Sequence, residues 1–298
     1  MARPVVFVLA LAFLAGLGFG QEGSNVPLSY PGEQKTFHSR RGGRRGYGHQ
    51  GITKGDRHWF LFGTDKICRY ETTDFKADQA TLRARNEAPF AHPDFKGTRI
   101  SHLGAPHFHN GKVYTFAKTP NETPLDKAVM RLVWFSAGDL SYKEGSFLDL
   151  AIPPDADGNH LVVAGGPHIV GDVFFAAMTK KVDGKPARMR EIGRFSLKTG
   201  KYLGSVQLDD WYARPQALVM DEERNFYVME TRGHLKKFSP GGKYLGTVFE
   251  GAVPAIYEGF FLDTETKKAT VSITKGSKVH GEEGRGIFIV EIGLKNQG

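Results

Sequence analysis

An all-β chain folded as a single β-propeller is the architecture this sequence predicts, and three observations predict it. The stretch Pro215 to Val248 holds four short apolar runs separated by turn signals, which is the pattern of one propeller blade. Weaker copies recur along the chain at intervals of about 53, 63, 50 and 42 residues. No stretch shows the 3.6-residue periodicity of an amphipathic helix. One blade cannot bury both faces of its sheet alone, so the copies must stack on each other. Five four-stranded blades fit the spacing best, and one irregular blade leaves six as the alternative.

The first element is a leader. Arg3 precedes an apolar run from Val5 to Leu17, and small residues Gly18 and Gly20 stand before Gln21. That order matches a secretory signal peptide over residues 1–20, with an uncleaved anchor as the alternative. The expected location is therefore periplasmic or extracellular, with no stable membrane insertion once the leader is removed. Formal net charge is +8, from 40 Lys+Arg against 32 Asp+Glu; loss of Arg3 leaves 39 against 32, or +7. Such a surplus favours anionic partners without naming them. The single cysteine, Cys68, cannot form an internal disulfide. A core with 40% hydrophobic and 12% aromatic residues needs no such staple.

Residues 21–48 read as a polar segment ending in the basic cluster Arg40, Arg41, Arg44 and Arg45. The propeller is expected over 49–294, with a short polar tail at 295–298. Inner strands open at His49-Gln50-Gly51, His102-Leu103-Gly104, Gly165-Gly166-Pro167-His168, Pro215-Gln216-Ala217 and Tyr257-Glu258-Gly259. Second strands follow at Trp59–Phe62, Lys112–Ala117, Asp172–Met178, Asn225–Met229 and Lys268–Thr274. Third strands follow at Ile67–Tyr70, Arg131–Phe135, Glu191–Leu197, Leu235–Phe238 and Ile287–Ile292. Fourth strands are expected at Thr81–Arg85, Ser146–Leu150, Tyr202–Gln207 and Tyr244–Phe249. The fifth blade has none of its own, and Gln34–Ser39 is the candidate to supply it, closing the ring by pairing the two chain ends.

Within Pro215–Val248 the residues Pro215-x-Ala217, Asp221, Asn225-Phe226-Tyr227-Val228, Lys237-Phe238 and Gly242-Lys243-Tyr244-Leu245 form one repeat that resembles the NHL, or six-bladed, propeller superfamily. Lys198-Thr199-Gly200-Lys201-Tyr202-Leu203 echoes only its ending. The resemblance implies the propeller and leaves function open, because that superfamily includes lactonases, amidating lyases and binding scaffolds. No complete lactonase-type set of metal ligands is present to carry over.

The candidate chemistry lies at the inner-strand openings. The first residues of inner strands face one mouth of the central channel, so His49, His102 and His168, with Gln216 and Glu258, are expected to converge there. His49, His102 and Glu258 are the candidate acid–base residues. His107, His168, Trp211, Arg214 and Gln216 are the candidate ligand contacts. His49, His102 and His168 are also the candidate ligands for one divalent ion, Ca2+ or Zn2+, in a site that only the ring could assemble.

The bland alternative is that these groups satisfy the backbone and water of the channel. His107 and His109 share one side of a strand, but Asn110-Gly111 is a turn signal that puts the pair at an exposed strand end. Asp155-Ala156-Asp157-Gly158-Asn159 reads as a turn, since it lacks the Glu that completes a calcium loop. Trp59 and Trp134 read as core. Trp211, beside Asp209, Asp210, Tyr212 and Arg214 in a loop between blades, reads as a stacking platform. The basic run from His38 to Arg45 is either a solvated linker or an anion-binding loop.

The expectation is an exported monomeric propeller that recognises, and cleaves by hydrolase or lyase chemistry, a carbohydrate or another polar anionic ligand in its central funnel. Two readings compete with it. One is a non-catalytic scaffold for glycan or protein, and the other is a metal-dependent lactonase or esterase-like hydrolase. Nucleic acid is not an expected partner, since no nucleic-acid module is present.

Overall fold

The computed structural model describes residues 50–71, 81–120, 123 and 128–294, apart from positions 56, 87, 183–184, 252–254, 265, 267 and 276–286. Among the described residues five antiparallel sheets of three to five strands follow one another along the chain, and a small hairpin pairs Lys181–Val182 with Lys185–Pro186. Blade 1 runs Gly51–Gly55, His58–Phe62, Ile67–Glu71 and Thr81–Asn86. Blade 3 runs Val162–Val170, Val173–Thr179, Arg188–Ser196 and Tyr202–Ala213. Blade 4 runs Pro215–Met220, Phe226–Glu230, His234–Phe238 and Tyr244–Glu250.

Blades 2 and 5 depart from this plan. In blade 2 the inner strand is broken into His102–Leu103 and His107–His109, both paired to Lys112–Lys118, with Met130–Ser136 and Phe147–Asp149 outside. Blade 5 shows Ala255–Asp263, Lys268–Lys275 and Ile287–Gly293. The candidate closing strand Gln34–Ser39 lies outside the described residues. The other strands expected from the sequence are present to within a few residues. The main departure is the outer strand of blade 3, which continues to Ala213 and so carries Trp211 within a strand.

The inner strands touch in turn and close a ring. Gly51–Gly55 meets His107–His109, that segment meets Val162–Val170, and contact passes to Pro215–Met220 and Ala255–Asp263 before returning to Gly51–Gly55. The hydrophobic cores lie between neighbouring blades. Phe62, Phe135 and Leu103 join blades 1 and 2. Phe116, Phe174, Phe195 and Phe226 run through blades 2, 3 and 4. Met229, Tyr257 and Phe260 join blades 4 and 5. Trp59 meets Phe261 edge-on at 5.4 Å, which seals the fifth blade against the first. Cys68 is part of this last core, and burial raises its thiol far above the ordinary range, so it is a packing residue.

Small residues set how close the inner strands can come. A Cβ added at Gly104 would lie 2.1 Å from the carbonyl oxygen of Gly165, and one at Gly166 would lie 2.3 Å from that of Ala105. A Cβ at Gly259 would lie 2.7 Å from the Cα of Gly51. The pairing of inner with second strands slips at this level in blades 3, 4 and 5, at Ala164/His168, Pro215/Ala217 and Tyr257/Gly259. Blade 2 interrupts its inner strand at the same level. Such bulges free carbonyls from the ladder, and buried hydroxyls take them up. Thr115 donates to the Gly104 carbonyl at 2.8 Å and Ser272 to that of Gly259 at 3.4 Å, and both residues are fully buried.

Gly104→Ala is expected to destabilise the fold by about 1–3 kcal/mol, since backbone rather than a flexible side chain blocks the new methyl. Gly138→Ala, whose nearest neighbour is the Ser136 hydroxyl at 3.5 Å, serves as a tolerant control. Thr115→Val keeps the shape but orphans a buried carbonyl, at a cost of about 1–3 kcal/mol. Urea unfolding of the three variants checks this. Equal midpoints for Gly104→Ala and Gly138→Ala would remove the close approach as a structural requirement.

Candidate functional site

The ring of small residues divides the channel into two cavities. The cavity at the inner-strand openings has a volume of about 320 Å3 and is lined by Gln50, His102, Lys118, Gln216, Thr231 and Glu258, among others. The opposite cavity is about 110 Å3 and is lined by Lys54, His107, Phe108, His168, Met220 and Phe261, among others. Ala105 lines both, so it marks the constriction between them.

The first cavity draws one polar side chain from most blades, and the bulges explain why. A regular strand alternates its side chains, whereas a slip at Pro215/Ala217 turns Gln216 toward the axis and one at Tyr257/Gly259 does the same for Glu258. His102 holds its place through its Nε2, which donates to the amide oxygen of Gln50 at 2.9 Å. In the neutral ring the lone pair is then on Nδ1. Gln216 donates through Nε2 to the Thr231 hydroxyl at 2.8 Å, and that hydroxyl donates to the Arg214 carbonyl at 2.9 Å. Arg214 itself is exposed, adopts a left-handed backbone with φ of 47°, and turns the chain into Pro215 of the funnel wall.

His102, Gln216 and Glu258 therefore share a cavity, as the sequence leads one to expect. His49 lies outside the described residues, although its neighbour Gln50 is in the wall. His168 and His107 do not join them, because they sit beyond the constriction. The metal set of His49, His102 and His168 is thus split, with its two described members in different cavities. Among the described residues no three His, Cys, Asp or Glu side chains are grouped to hold a metal ion. Sequence reasoning missed Gln50, Lys118 and Thr231. Gln50 stood in the quoted inner-strand opening beside His49, while the other two end or follow second strands, where nothing in the sequence marks them.

At the far end His107 and His168 pack ring to ring, 4.5 Å between centroids. His107 is thus a packed residue, contrary to the exposed strand end that Asn110-Gly111 implied. The break in the inner strand at 104–106 tips this segment against blade 3. His168 accepts through Nδ1 from the Met220 amide at 3.3 Å. Burial first, then the neighbouring imidazoles of His168 and His109, hold His107 well below the usual histidine range. Burial, then His109, pushes His168 down to about 4.

Trp211 has two cations over its ring, Arg188 at 3.7 Å and Lys236 at 4.1 Å from the centroid. It is a seat for cations before it is a platform for sugars. Lys236 is itself buried, bonded to Asp210 at 3.0 Å and to the Trp211 carbonyl. The Asp155 loop is the expected turn. Its carboxylate accepts from the amides of Asp157 at 3.0 Å and Asn159 at 2.7 Å, and pairs with Lys180 at 2.6 Å. Trp59 is core, and Trp134 is half-buried with Lys112 over its ring.

No family model matches the chain, and no curated protein matches it. Among solved structures, the WD40 domain of Neurospora crassa Pan2 aligns with 7% identity and a TM-score of 0.37. The alignment covers 83% of this chain and 63% of that one, so the chain spans less than two thirds of that neighbour. The fold assignment rests on the meander sheets and their ring of inner-strand contacts. Among the described residues no helix is long and apolar enough to cross a membrane.

The neutral His107–His168 pair makes stability depend on acid. Unfolded histidines protonate near pH 6.5, whereas these stay neutral in the fold to lower pH. Their contribution is therefore complete above about pH 6.5 and is lost as pH falls toward 4, by about 2–3 kcal/mol. Urea midpoints at pH 7, 5.5 and 4 measure this. His168→Gln, which keeps an acceptor for the Met220 amide, is expected to flatten the slope, and an unchanged slope would place the acid sensitivity elsewhere.

Proposed function

We propose that this protein is an exported propeller that takes a small polar ligand, a carbohydrate unit or another hydroxylated or anionic molecule, into its central funnel. The observation that supports this best is the convergence of Gln50, His102, Lys118, Gln216, Thr231 and Glu258 on one cavity. Its volume is at the lower end for small-ligand sites, roughly the size for one sugar ring. The amides and the threonine offer donors and acceptors to hydroxyl groups, Lys118 offers a cation to an anionic group, and Glu258 accepts. Hydrolysis or elimination needs a proton donor and a proton acceptor beside one bond, and His102 and Glu258 are the groups suited to those roles. The leader over residues 1–20 supports export.

A non-catalytic scaffold using the same funnel is the second reading. It is favoured by the His102–Gln50 bond at 2.9 Å, which commits the imidazole Nε2 to holding the funnel wall. The metal-dependent lactonase reading rests on the NHL-type likeness of Pro215–Val248 alone, because the described residues do not supply its ligands together.

Calorimetric titration with mono- and disaccharides, neutral and acidic, tests the proposal. Gln216→Ala and Glu258→Gln are expected to weaken binding tenfold or more, about 1.4 kcal/mol each. Under the catalytic reading His102→Ala abolishes product formation while binding changes only a few-fold. Binding in the wild type with no turnover of any bound sugar would select the scaffold. Wild-type affinity in all three variants would remove the funnel as the site. Elemental analysis before and after chelation checks the metal reading separately, since near one ion per chain would restore it.

A further inference from the structure

A second cavity opens on the same face as the funnel, farther from the axis, and it does not depend on the funnel reading. Strand register places it: Val162 pairs with Thr179 and Met189 with Tyr212, so these strand ends lie level with the funnel wall at Val163 and Ala164. The groove, about 670 Å3, lies between the segment Pro153–Asp157 and the outer strands of blade 3, and Arg188, Arg190, Tyr202 and Trp211 line it. It is twice the size of the funnel.

Two features make it a place for anions. Arg188 and Arg190 stand two residues apart on the third strand, so alternation puts both at the groove, on either side of buried Met189. Both arginines are exposed, and neither makes an ion pair with a carboxylate among the described residues. Arg188 lies over the Trp211 ring at 3.7 Å, so its planar fork is held in place before any ligand arrives. The carboxylates best placed to neutralise them are committed elsewhere, and Asp210, which feels the charge of Arg190, is paired with Lys236 at 3.0 Å. Asp155 is held by Lys180 and two backbone amides, and Glu191 accepts from the hydroxyl of Ser205 at 3.0 Å.

Charge complementarity also says what kind of anion. Exposed Asp157 and half-buried Glu191 share the groove with the arginines. They would repel a continuous run of negative charges, yet they accept hydrogen bonds from hydroxyl groups. A chain in which carboxylates alternate with hydroxyls meets both demands. Tyr202, Pro153 and Pro154 supply apolar surface for sugar ring faces. We propose that this groove binds an acidic oligosaccharide, with Arg188 and Arg190 as bidentate contacts to its carboxylates.

The test uses the whole protein and a tetramer of galacturonic acid as the probe, followed by calorimetry. The wild type is expected to bind it, and the neutral tetramer of glucose at least tenfold more weakly. Joint Arg188→Gln and Arg190→Gln substitution, at two exposed positions, should cost tenfold or more. Arg188→Lys keeps the charge but loses the fork, and should cost several-fold. Uronate binding that is lost in the double arginine variant but kept in Gln216→Ala belongs to the groove, and the reverse pattern belongs to the funnel and overturns the proposal. No binding of the uronate, wild-type affinity in the double variant, or equal binding of tetraglutamate would each overturn the proposal.

Discussion

The structure depends on how closely five inner strands can approach one axis. The positions that meet there, Gly51, Ala105, Gly166, Ala217 and Gly259, themselves carry nothing larger than a methyl, and several added Cβ atoms would strike backbone. Close approach has a consequence for hydrogen bonding. Strands drawn together at one level cannot all keep a regular ladder there, and the observed slips and the break in blade 2 fall at that level. The carbonyls so freed are bonded to Thr115 and Ser272 or across blades, as where the Ala105 amide donates to Gly165 at 3.2 Å. Packing, bulges and buried hydroxyls are thus one arrangement.

That same arrangement builds the candidate site. Bulges re-aim side chains, and here they turn Gln216 and Glu258 inward at the level just above the constriction. The constriction then separates two chemically different ends. The upper cavity is rich in amide, imidazole, ammonium and carboxylate groups, while the lower one holds a neutral imidazole pair among Phe108, Phe261 and Met220. The lower cavity adds the cation of Lys54 and the hydroxyl of Thr53, and it lacks the amide and carboxylate side chains of the upper one.

Much of this was legible in the sequence, and what was not has a physical reason. Alternating apolar runs bounded by Gly, Asn and Asp located the blade strands, because strand burial and turn chemistry are local properties, whereas the short hairpin Lys181–Val182/Lys185–Pro186 went unread. The convergence of His102, Gln216 and Glu258 followed from their shared place at strand starts. His168 misled because it lies past Gly165-Gly166-Pro167, and three residues along a strand carry a side chain to the other side of the constriction. Trp211 misled because polar neighbours such as Asp209 and Asp210 resemble a loop, whereas in the fold they serve a twelve-residue strand whose slip against blade 3 frees them for blade 4. Non-local partners decide such cases, and a single sequence does not display them.

Two cations from neighbouring blades share one aromatic ring on the upper face. Around Trp211 the buried Lys236 faces Asp210 on the blade 4 side, while Arg188 leans on the ring from blade 3. Each cation lies about 4 Å from the centroid, so the aromatic ring carries part of the interaction that a carboxylate would otherwise supply. Because the ring satisfies Arg188 without neutralising it, the guanidinium keeps both its charge and its donors for a ligand. A carboxylate in Trp211's place would have closed the groove as an internal ion pair. The choice of an aromatic at this position is what separates a structural contact from a surface able to receive an anion.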